Sequence, residues 1–171
     1  MTRSFVLKMT LALAPLFAGA LAVAAEPCAP LSTPAGSIVF VGDKIVVKTK
    51  KVETRLVRLS QPAPECTSLK DSKLKDHVVV EFWGGFEGTS RLKNTHYWGL
   101  LDLKKQRWGI KPQAIETTVK DAQGDIDSKI AELTEVSEAD GYHVERKNLE
   151  TGEKEVVFED KKTSPEKGRG L

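Results

Sequence analysis

Short runs of β-branched and aromatic residues, separated by Gly, Pro and Asp, dominate the chain from Ser37 onward, which is the pattern of half-buried strands and tight turns. Ser37 to Val41 and Lys44 to Lys48 meet at Gly42-Asp43, a hairpin signal. Lys51 to Leu59 alternates, with Val52, Thr54 and Leu56 on one face and Glu53, Arg55 and Val57 on the other, until Pro62 and Pro64 end it. His77 to Trp83 is a dense strand stopped by Gly84-Gly85. Tyr97 to Asp102 with Gln106 to Ile110, and Gly141 to Lys147 with Lys154 to Glu159, predict two further hairpins. Asp125 to Ser137 reads two ways. Ile126, Ile130 and Leu133 have helical spacing behind Asp125 as a cap, yet the turn at Asp140-Gly141 makes Lys129 to Val136 equally readable as a strand.

The pattern predicts a mainly β fold: a single antiparallel domain of six to eight strands over residues 26–160, built as a sandwich, a barrel-like or a propeller-like meander, with at most one short helix. Residues 161–171 lack apolar periodicity and carry Pro165, Gly168 and Gly170, so a disordered tail is expected.

The first 25 residues change where this domain must work. Arg3 and Lys8 precede an apolar run from Met9 to Val23, and small residues Ala22, Ala24 and Ala25 follow, the order of a secretory signal peptide. Pro15 and Gly19 interrupt the run, which falls short of the roughly 20 apolar residues of a bilayer span, so no integral membrane segment is expected after cleavage. Glu26 and Pro27 before Cys28 argue against a lipid-modified cysteine. The expected location is the periplasm or the exterior. An oxidising compartment lets Cys28 and Cys66 pair, and neither sits in a Cys-x-x-Cys redox motif or a zinc spacing.

Export also recasts the charge. The formal net charge of +2 is carried by Arg3 and Lys8, because no Asp or Glu precedes Glu26, and the remainder balances. A nucleic-acid partner therefore gains no support. The balance is uneven, with 15 Lys and Arg against 9 Asp and Glu from Glu26 to Gln113, and 9 against 15 beyond. Pairing between the halves within the fold is the expected outcome.

The stretch Tyr97-Trp98-Gly99-Leu100-Leu101-Asp102, a short turn, and Trp108-Gly109-Ile110-Lys111-Pro112-Gln113 resembles one unit of the WG-repeat proteins. The likeness covers about 17 residues of the sequence, has Lys104-Lys105-Gln106 where a turn glycine is usual, and has no second copy. It implies a tight hairpin and an envelope or surface binding role, and no catalytic residues.

Six of the nine Phe, Tyr and Trp residues after residue 25 fall between Phe82 and Trp108, where two adjacent strands would supply a core. Phe86 stands apart among Gly84, Gly85 and Gly88, followed by a polar connection from Thr89 to Asn94. An exposed apolar tip on such a loop is a contact element, so Phe86, Ser90, Arg91, Lys93, Asn94 and Trp98 are the candidate partner-binding residues.

Catalytic and metal constellations are thin. His77, His96 and His143 show no His-x-His or His-Glu-x-x-His spacing, and no Gly-x-Ser-x-Gly elbow or phosphate loop occurs. No cofactor or metal is expected, and an enzyme would need two or three of His77, His96, His143, Asp102 and Ser90 to converge in one pocket. The sequence thus points to an exported, non-catalytic protein-binding module, an inhibitor or immunity-type protein occluding a cell-wall-directed toxin or hydrolase. The alternative is an envelope accessory or carbohydrate-binding module that stacks sugars on Trp83, Trp98 or Trp108.

Overall fold

The computed structural model describes residues 28–49, 54–139 and 141–161. Among them the chain is all β, with three antiparallel sheets whose strands follow one another in sequence order. The first sheet holds β1 (Leu31–Thr33), β2 (Gly36–Val41), β3 (Lys44–Thr49) and β4 (Thr54–Arg58). The second holds β5 (Glu65–Asp71), β6 (His77–Trp83), β7 (Leu92–Asp102), β8 (Arg107–Asp121) and β9 (Gly124–Lys129). The third holds β10 (Ala131–Ser137), β11 (Gly141–Asn148) and β12 (Lys154–Lys161). The expected signal peptide and nearly all of the expected tail lie outside the described residues.

Strand alternation explains why the second sheet is the middle layer. Side chains of successive strand residues point to opposite faces, and β6 is apolar at Val78, Val79 and Val80 in a row, so it must be covered on both sides. Val78, Val80 and Phe82 pack with Ile38, Phe40, Ile45 and Val47 of the first sheet. Val79 joins Trp98, Leu100 and Ile110 under Tyr142 and Val144 of the third. The Cys28–Cys66 disulfide, with Cα atoms 5.6 Å apart, ties the entry to β1 onto β5 and so links the first sheet to the second.

The third sheet is anchored at a polar node. The Glu135 carboxylate on β10 accepts bonds from the Ser72 hydroxyl, the Lys73 N–H at 3.1 Å and the Tyr142 hydroxyl at 2.7 Å. Burial raises the Tyr142 phenol well above its ordinary pKa, with Glu135 adding to the effect against the Ser72 bond, so the hydroxyl stays a donor. Glu135→Ala leaves these donors without their acceptor and is expected to lower stability by about 2 kcal/mol, measured by urea denaturation. An unchanged midpoint would show that the apolar cluster holds the third sheet unaided.

Several elements differ from their sequence expectation. The described residues form twelve strands where six to eight are expected: β1, β5 and β9 are short or polar and carry little periodicity of their own, and β10 lies in the stretch that reads two ways. Asp125 to Ser137 is neither a helix nor one strand. Ile130 is the crossover between sheets, its N–H donating to Ile115 O at 2.8 Å, so Ile126 and Leu133 serve different sheets and their helical spacing is coincidental. In the β7–β8 turn, Gln106 adopts φ +52°, a left-handed conformation at the turn where glycine is usual. Among the described residues most ion pairs form within a half of the chain, with few between the halves. Arg91–Asp121 and His96–Glu116 cross between them, whereas Lys70–Glu81, Lys104–Asp76, Lys105–Asp102, Arg146–Glu155 and Lys154–Glu145 stay within a half, since hairpins bring sequence neighbours together.

Candidate functional site

The β6–β7 connection is a built hairpin tip. Glu87 and Lys93 exchange backbone hydrogen bonds at 2.8 Å in both directions, closing the intervening residues into a small loop. Gly88 at φ +102° makes the closure possible, because a Cβ there would sit 2.4 Å from Arg91 O. Phe86 is 48% exposed at the root of this loop, with Lys120 Nζ 5.1 Å from its ring centroid. Arg91 approaches Asp121 at 3.8 Å and is otherwise exposed. Leu92 is a second exposed apolar side chain beside it. Ser90 is exposed, while Lys93 and Asn94 belong to β7 and not to the expected loop.

The same face of the second sheet continues inward from this tip. Register places Leu92 beside Lys120, Asn94 beside Thr118, and His96 beside Glu116, successive rows of one face. His96 stacks on Trp83 with ring centroids 4.8 Å apart. Its Nε2 lies 4.0 Å from Glu81 and its Nδ1 3.9 Å from Glu116. A shallow cleft of about 480 Å³ opens here, with Ile115, Leu133 and Leu149 as its apolar wall. Burial pushes the His96 pKa below its ordinary value, against the pull of Glu81 and Glu116 and with a smaller push from Lys70. The folded state therefore binds a proton less readily than the unfolded chain, and this stability is present above the unfolded pKa and fades as pH falls through the lower folded one. Thermal melts from pH 7.5 downward are expected to lose stability on acidification, and His96→Gln to flatten that slope. A variant as acid-sensitive as the parent would assign the loss to other groups.

The structure corrects the expectation for Trp98. It is 6% exposed and packs into the cluster under the third sheet, because its position in β7 places it on the same face as Leu100. The catalytic alternative gathers one pair only. His77 Nε2 is 3.7 Å from Asp102, but His77 Nδ1 is engaged by Lys75 O at 2.9 Å, and Asp102 accepts the Lys105 N–H at 2.9 Å. Burial opposes ionisation of Asp102, yet Lys105 and His77 together hold its carboxyl below the usual range. His96, His143 and Ser90 lie on other elements, with His143 beside Glu145 on β11. Among the described residues no group of three His, Cys, Asp or Glu side chains is placed to hold a metal ion.

No family model, curated protein or solved structure matches this chain.

The tip is legible in the sequence, but what supports it is not. Lys120 and Glu116 reach the site from the far end of β8, whose pairing with β7 leaves no local signal in the sequence. The usable hint is the alternation of Glu116, Thr118 and Lys120 with Ile115, Thr117 and Val119, which gathers the two charges on one face.

Proposed function

We propose that this chain is an exported, non-catalytic protein-binding module that occludes the cleft of another exported protein, in the manner of an inhibitor or immunity-type protein acting on a cell-wall-directed toxin or hydrolase. The supporting observation is the closed Glu87–Lys93 loop, which holds Phe86 and Leu92 outward beside Arg91 and Lys120. A pre-organised apolar tip loses little conformational entropy on docking, and its charged rim, where Arg91 faces Asp121 and Lys120 faces Asp125, can exchange these exposed pairs for a partner's polar groups. The Cys28–Cys66 disulfide is compatible with export, and among the described residues no helix is long and apolar enough to cross a membrane.

The test is site-specific photo-crosslinking in the native envelope from position 86, with position 156 on the third sheet as the control. One protein captured from 86 and not from 156, whose purified form loses at least tenfold affinity for the Phe86→Ala/Arg91→Ala double variant at unchanged melting temperature, supports the reading. Equal capture from both positions, or unchanged affinity, removes the loop from the interface. The alternative of sugars stacked on tryptophans has less surface to use, since Trp98 is buried, Trp83 is covered by His96 and Trp108 packs against Gly99.

A further inference from the structure

We infer that the end of the molecule opposite the Phe86 loop is a binding cleft for an anionic polysaccharide. β6 runs from His77 to Trp83 and β7 returns from Leu92 to Asp102, so the β7–β8 turn lies roughly 20 Å from the Phe86 loop by strand rise. At that turn a cleft of about 460 Å³ is lined by His77, Arg107, Gly109, Lys111 and Phe158, with Lys105 and Asp102 at one side.

Its construction follows from a bulge in β8. Trp108 pairs with Leu101 and Ile110 with Leu100, leaving Gly109 as the extra residue. Trp108 thereby packs toward the first sheet and Ile110 toward the third. A Cβ on Gly109 would meet His77 and Phe158 each at 3.7 Å, so the absent side chain is what leaves the floor open.

The charge is uncompensated where it counts. Lys104 and Lys105 are held by Asp76 at 2.6 Å and Asp102 at 3.3 Å, but Arg107 and Lys111 make no ion pair with any described residue. Two free cations thus flank a glycine floor and an aromatic wall. A nucleic acid carries a phosphate about every 3.4 Å of each strand and favours a denser row of cations. Arg107 and Lys111 are separated by up to about 13 Å of strand, a spacing that suits a chain of rings bearing well-separated charges. The rings can lie against Phe158 and His77 while their anionic groups meet the two cations.

The experiment is fluorescence anisotropy with labelled oligogalacturonate, using maltooctaose and oligo-dT as comparison ligands and the oxidised protein throughout. Oligogalacturonate is expected to bind with an affinity that falls as salt rises, and maltooctaose and oligo-dT at least tenfold more weakly. Arg107→Gln/Lys111→Gln is expected to lose at least tenfold. Gly109→Leu, which keeps every charge and fills the floor, should lose a similar factor, and Lys104→Gln less than twofold. Oligo-dT binding as tightly as oligogalacturonate, a Lys104→Gln loss equal to that of the double variant, or unaltered binding by Gly109→Leu would each overturn the cleft. Phe86→Ala/Arg91→Ala is expected to leave this binding untouched, which separates it from the proposed protein interface.

Discussion

Replacing Cys28 and Cys66 together by Ser is expected to lower the stability of the oxidised protein by about 4 kcal/mol, because the bridge closes a loop across a sequence separation of 38. For a chain of this size that corresponds to a melting-temperature drop on the order of 10 °C. The two sheets that the bridge joins already share the Ile38, Phe40, Val78 and Phe82 cluster, so folding should survive its loss. Urea denaturation distinguishes the sources of stability. A lower midpoint with a steeper slope would show the unfolded chain expanding once the cross-link is gone. An unaltered midpoint would mean that the apolar interface between the first two sheets suffices. The bridge also bears on the candidate site, since Cys66 is the second residue of the strand that follows Pro62 and Ala63, whose carbonyls pack against Gly85 at the root of the Phe86 loop.

The fold is legible where strands carry their own apolar signal and a turn residue marks their end. Gly42, at φ +56°, sits in the β2–β3 turn that Gly42-Asp43 predicts, and β6 runs from His77 to Trp83 as its valine run implies. It is illegible where a strand depends on its neighbours. β5 sets Thr67, Ser68 and Lys70 around Cys66 and Leu69, and it is a strand because β6 offers an edge to pair with. β9 is exposed at every residue and forms only because β8 is long enough to extend past the body of the sheet. The site divides in the same way. Phe86 is visible as a lone aromatic among glycines. Trp98 is misplaced by its sequence because a strand covered on both faces gives no clue to which side is open. The Arg107, Gly109 and Lys111 cleft depends on a bulge, and a one-residue register shift leaves no trace in composition.

Gly85→Ala is expected to cost about 3 kcal/mol and to disable the Phe86 loop with it. Gly85 has φ +85°, a conformation that strains any residue with a Cβ, and an added Cβ would lie 2.3 Å from Pro62 O and 3.0 Å from Ala63 O. Both contacts are backbone atoms of the segment that β4 and β5 hold in place, so relief requires the 84–86 backbone to lift away. Gly42→Ala is the matched control. It has φ +56° with nothing within 4 Å of the added Cβ, so it carries conformational strain without the collision and should cost only about 1 kcal/mol. The difference of about 2 kcal/mol between the two variants isolates the seating of the loop on Pro62 and Ala63. If the Gly85→Ala protein also binds its crosslinked partner more weakly than the Gly42→Ala protein, at a temperature where both remain folded, then the rigid seat of Phe86 contributes to recognition. Equal binding would mean that Phe86 finds its position on docking and that the closed loop serves stability only.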